Sequence, residues 1–188
     1  MTNSQLLRDV GSDLDLRTVV YLAVDPGLSG VIAAITSIDK KMTSIYLADT
    51  PVVKIRGGKT HYDLKGMAES LKSNYNPYCT YFILEEVHAM PGQGVTSMFR
   101  FGEGFGLWRG LIAAYEYSPI LITPQAWKSY YKFEKGASKD ASRLKALELS
   151  TPYFDLAGDM LKNKNSHGKA EAFLMAYYVM NNFDKIKR

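Results

Sequence analysis

The sequence predicts an α/β domain: a five-stranded mixed sheet flanked by helices. Three observations carry this. Short β-branched, apolar runs are interleaved with longer stretches of helical character. Two of the runs flank a short polar turn, as hairpin strands do. With 188 residues and a hydrophobic share of 46%, the chain can bury one substantial core.

V-V-Y-L-A-V-D (19–25) reads as a central strand that ends on an acid. After the turn P-G-L-S, the runs 30–38 and 42–49 surround D-K-K and form an antiparallel pair. A basic glycine loop, K-I-R-G-G-K-T-H (54–61), precedes a helix over 62–74. C-T-Y-F-I-L-E-E (79–86) is the fourth strand, again ending in acids, and residues 87–95 form a loop. A long helix over about 96–117 leads to the fifth strand, I-L-I-T (120–123). A short helix starts at Pro124, another covers about 139–150 with Ser138 as N-cap, and the last begins near Gly168. This order of elements resembles the ribonuclease H-like fold.

Composition narrows the class. The single cysteine, Cys79, excludes a disulfide framework and a cysteine-rich zinc site, so a reducing compartment is expected. The first residues lack a secretory pattern and are too acidic for a typical transit peptide. No stretch approaches the ~20 apolar residues of a membrane span. A cytoplasmic setting is the default expectation from composition. Residues 1–119 carry 11 Lys/Arg against 12 Asp/Glu, whereas residues 120–188 carry 12 against 7. A basic final third alongside a few carboxylates suits an enzyme of nucleic acids.

The acids define the candidate site. Asp25 closes the first strand and Glu85 lies at the end of the fourth, where ligands of α/β sheets gather. Glu171 lies in a helix whose positions 170 and 172–180 are all Ala, Phe, Leu, Met, Tyr or Val, so it is a carboxylate in a segment built for burial. His167 precedes it by one turn and shares its face. Three converging carboxylates need a compensating cation, and oxygen ligands point to Mg²⁺ or Mn²⁺. Two such ions together suit phosphodiester hydrolysis. Histidine suits Mn²⁺ better than Mg²⁺, and His167 fits either a ligand role or one acting on the attacking water.

V-D-P-G-L-S-G (24–30), D-T-P (49–51), I-L-E-E-V (83–87), G-L-W-R-G (106–110), W-K (127–128), K-D-A-S-R (139–143) and H-G-K-A-E-A (167–172) together resemble the RuvC-type Holliday junction resolvases, and most closely their plastid-type subgroup with its bacterial and phage relatives. The likeness spans about residues 19–180, leaving residues 1–18 as an N-terminal extension to a single nuclease domain over 19–188. It implies metal-dependent catalysis by Asp25, Glu85, His167 and Glu171, with Glu86 at a position where the family has glutamine. Many RuvC proteins have aspartate at the position of His167; histidine is a mark of the plastid-type group. The resemblance further implies a homodimer that grips a four-way DNA junction and nicks two strands of like polarity.

Lys54, Arg56 and Lys59 in the glycine loop, and Lys128, Lys132, Lys135, Lys139, Arg143 and Lys145 farther on, are candidate phosphate contacts. Met98, Phe99 and Phe101, with Arg100 among them, fit either stacking at the junction centre or packing in the core. Gly102, Gly106, Gly110 and Ala114 form a ridge that fits either dimerisation or close packing on the protein's own sheet. Trp127 reads as a packing residue that positions Lys128. D-P-G-L-S-G is also similar to the phosphate loop of actin-like ATPases, but a chain this short with one such loop argues against a nucleotide cofactor. A ribonuclease H-like nuclease acting on flaps, forks or RNA–DNA hybrids, or a non-catalytic junction binder, remains a rival reading.

Overall fold

The computed structural model describes residues 18–77, 79–86, 88, 92, 94–133, 138–151, 161, 163 and 166–186. Strands β1 (Thr18–Val24), β2 (Val31–Ile38), β3 (Lys41–Asp49), β6 (Thr80–Glu85) and β7 (Ile120–Ile122) form one sheet in the order β3-β2-β1-β6-β7. β2 lies antiparallel to both β1 and β3, while β1, β6 and β7 run parallel. The sheet is therefore mixed and five-stranded, as the sequence predicts. Asp39 and Lys40, both at positive φ (50° and 61°), turn β2 into β3, a conformation whose twist suits a two-residue hairpin.

Alternation along β1 sorts the core into two layers. Tyr21 and Ala23 face one side, with Ala33, Ile35 and Ile83, against α4 (Lys139–Ser150) and α5 (His167–Ile186). Val20, Leu22 and Val24 face the other side, with Phe82 and Leu84, against α1 (Leu64–Asn74) and α2 (Val95–Ala114). On α2 the inward face is Gly104, Trp108 and Ile112, spaced at four residues. α3 (Pro124–Tyr130) follows β7 directly, with Thr123 as N-cap accepting from the Ala126 amide at 3.2 Å.

The glycine-rich segment differs from the expected loop. Val52–Lys54 (β4) and Thr60–Tyr62 (β5) pair as a small antiparallel hairpin, closed at Gly57 and Gly58, whose φ values of 88° and 75° need glycine. Tyr62 is thus a strand residue, and α1 starts two residues later because Asp63 caps it, accepting from the Gly66 amide at 3.1 Å. The expected N-terminal extension lies outside the described residues except for Thr18, which opens β1. Among the described residues no helix is long and apolar enough to cross a membrane.

Candidate functional site

Parallel register brings the first two acids together. Val24 of β1 pairs with Leu84 of β6, so Asp25 and Glu85 each stand one residue beyond that pair on neighbouring strands. The turn after Asp25 is tight. Its amide donates to Val31 O at 2.9 Å, and the Gly30 amide donates to Gly27 O at the same distance. The Gly27 amide also donates to the Asp25 carboxylate. Glu85 accepts from the indole Nε1 of Trp127 at 3.2 Å, and Trp127 is fully buried.

The third acid arrives on α5. Gly168 lets that helix approach the turn after Asp25, since a Cβ there would stand 3.1 Å from Val31 Cγ2 and 3.9 Å from Ser29 O. Lys169 ties the same turn of helix to Asp49 at 3.1 Å. Glu171 accepts from Ser142 Oγ at 3.4 Å and pairs with Lys128 Nζ at 3.5 Å. The Lys128 ammonium also lies 4.9 Å from the centre of the Trp127 ring. His167 is the half-buried first residue of α5, one turn ahead of Glu171 on the same face. Trp127 and Ser142 thus bind site carboxylates, which sequence reasoning missed. Their only signals were their places in the W-K (127–128) and K-D-A-S-R (139–143) motifs, which give neither residue this role.

The carboxylates feel one another. Burial raises the pKa of Asp25, and the Glu171 charge raises it further, opposed by the Gly27 amide and Lys128. Burial pushes Glu85 up to about 7, helped by the charges of Asp25 and Glu171 and opposed by the Trp127 hydrogen bond and Lys128. Among the described residues no three His, Cys, Asp or Glu side chains lie close enough to hold a metal ion as they stand. The donor chemistry nevertheless fits a hard divalent cation: three carboxylates on adjoining elements, two with raised pKa, with Lys128 as a counter-charge.

The pH dependence follows in sign. Glu85 ionises near 4.5 in the unfolded chain and near 7 in the folded one, so the folded state holds its proton more tightly. The metal-free protein should therefore lose stability as pH rises from about 4.5 to about 7. Thermal unfolding in EDTA across that window checks this. Added Mn²⁺ should raise the melting temperature more at the upper end than at the lower, because binding requires the ionised carboxylate.

The candidate DNA contacts fall into distinct settings. Lys54, Arg56 and Lys59 are exposed at the end of the β4–β5 hairpin. Phe99 is 73% exposed, while Met98 and Phe101 are half-buried. Arg100 donates from Nη1 to Thr60 O at 3.0 Å, which joins α2 to the hairpin. Lys128 belongs to the carboxylate cluster, and Lys132 is exposed. Arg143 is buried, with its Nε on Asp140 Oδ1 at 2.7 Å, and Lys145 pairs with Glu148 at 2.7 Å. Lys135 and the Lys139 side chain lie outside the described residues. The glycine ridge is turned away from the sheet: Cβ atoms at Gly102, Gly106 and Gly110 would meet no described atom within 4 Å.

No protein-family model matches the chain, and no curated protein matches its sequence.

Proposed function

We propose that the chain is a Holliday junction resolvase, a metal-dependent endonuclease that nicks four-way DNA junctions symmetrically. The observation that carries this reading is the gathering of Asp25, Glu85 and Glu171, from two parallel strand ends and a buried helix, around one lysine. The motif order described above supports the same reading, and with it a ribonuclease H-like identity for the mixed sheet and a cytoplasmic or plastid setting.

In this reading Asp25, Glu85 and Glu171, with His167 one turn away, hold Mg²⁺ or Mn²⁺. Bound ions, two per site, supply an activated water and stabilise the leaving oxygen in phosphodiester hydrolysis. The residues do the rest. Trp127 and Ser142 fix the orientation of Glu85 and Glu171 through one hydrogen bond each. Lys128 offsets the carboxylate charge until a cation and a phosphate arrive. The exposed hairpin lysines and Arg56 meet the DNA backbone, which carries charge but no sequence information. The open ridge of α2, with exposed Phe99 at one end, gives the proposed homodimer a close-packing surface.

Incubation with a synthetic four-way junction in Mg²⁺, Mn²⁺ or EDTA tests the reading. Paired, symmetric nicks that need the metal are expected. Cutting confined to flaps, forks or RNA–DNA hybrids would replace the substrate assignment, and binding without cutting in any metal would overturn the enzyme.

A further inference from the structure

Tyr62 stands at the base of the basic hairpin, yet its hydroxyl reaches the candidate active site. The Tyr62 Oη lies 3.2 Å from Pro26 O and 3.2 Å from Arg100 O, so one hydroxyl proton is shared between two carbonyls. Pro26 follows Asp25 directly, and Arg100 returns a hydrogen bond from its guanidinium to Thr60 O on the hairpin. At Gly104 of α2 a Cβ would collide with both Pro26 O and the Tyr62 hydroxyl, so helix, hairpin and turn are in mutual contact at one point. Burial, reinforced by the charges of Glu103 and Asp25, raises the Tyr62 pKa and keeps it an O–H donor. Three residues along the hairpin from Tyr62 stands Lys59, at an exposed tip with Lys54 and Arg56.

We propose that Tyr62 is a positioning residue that links DNA held at the hairpin tip to the setting of Asp25. This rests on the nuclease reading above. A phosphate drawn to Lys54, Arg56 and Lys59 restrains the hairpin. Through Tyr62 that restraint bears on the carbonyl of Pro26, and so on the backbone that carries the Asp25 carboxylate. The hydroxyl therefore acts on the turnover rate and on cation binding more than on DNA affinity.

Tyr62→Phe keeps the ring and removes only the hydroxyl. Its kcat on a four-way junction should fall about fivefold to tenfold, as expected for loss of one buried hydrogen bond. The junction KM should stay within about twofold, and Mn²⁺ affinity by calorimetry should weaken by a similar factor to kcat. The link to the tip is read by a double-mutant cycle with Arg56→Ala plus Lys59→Ala: the kcat losses should be less than additive, because both act through one contact. Unchanged kcat and Mn²⁺ affinity in Tyr62→Phe, or strictly additive losses, overturn the proposal while leaving the nuclease reading intact. A lower melting temperature with unchanged kcat per folded molecule marks a packing role and also overturns it. Wild-type protein that neither cuts a junction nor binds Mn²⁺ overturns both.

Discussion

Asp25→Asn, Glu85→Gln and Glu171→Gln should each abolish junction cleavage and leave junction binding nearly unchanged. Each substitution preserves shape and removes one carboxylate from a cluster whose members stand just past β1, at the end of β6 and on α5. A neutral amide is a weak ligand for a hard cation. Loss of a single oxyanion-hole hydrogen-bond donor costs about 10²–10³-fold in kcat, and loss of a carboxylate from a shared metal site should cost at least that. Binding should persist because the exposed cations proposed to meet phosphate are elsewhere, on the β4–β5 hairpin. A separate observable distinguishes this from misfolding. Ionised Glu85 is disfavoured in the metal-free fold by burial and by the charges of Asp25 and Glu171, so Glu85→Gln should raise the melting temperature in EDTA at neutral pH. Full turnover in any of the three variants would remove the metal assignment. His167→Asp should stay active if the imidazole is a ligand, and an inactive variant would indicate an imidazole-specific role.

What could be read from the chain, and what could not, follows from the range of the interactions. β1, β2 and β6 were legible because each is a nearly continuous apolar run buried on both faces. The position of Asp25 and Glu85 at strand ends was legible for the same reason, whereas their side-by-side register is a property of the parallel pairing. β4 and β5 escaped notice because they are three residues each, and Val52, Val53 and Lys54 are all exposed, leaving no alternation to detect. The Trp127–Glu85 hydrogen bond spans 42 residues of sequence, so nothing local announces it. The glycine ridge illustrates a different limit. A period of four identifies a helix face but not which way it points; the buried Gly104, Trp108 and Ile112 take the sheet side and turn Gly102, Gly106 and Gly110 outward. The same four-residue spacing served both faces of one helix.

Gly30→Ala should damage fold and site together, and for a reason separable from charge. The residue is buried where β2 begins, and a Cβ built there collides with Asp25 O and stands 2.6 Å from Gly27 O and 2.7 Å from Gly27 N. All three atoms are backbone, so no side chain can swing aside. Relief requires opening the turn that the Gly30 amide closes on Gly27 O and whose Gly27 amide holds the Asp25 carboxylate. The Thr50 amide also donates to Gly30 O at 2.8 Å, so the displacement would carry into the end of β3. Overpacking of this kind costs about 1–3 kcal/mol, and more where backbone must move. For a chain of this size each kcal/mol lowers the melting temperature by about 2–4 °C. The expected result is a clear loss of thermal stability and a loss of cleavage larger than the unfolded fraction explains, because Asp25 is moved even in molecules that fold. Gly94→Ala, just before α2 and outside its glycine ridge, is the matched control. It adds the same methyl with no described atom within 4 Å, at a φ of −64° that alanine adopts freely, and should change stability by only a few tenths of a kcal/mol. A Gly30→Ala protein that melts with the wild type and cuts at its rate would show that the turn after Asp25 tolerates movement, and that the carboxylate does not depend on the close packing of that turn.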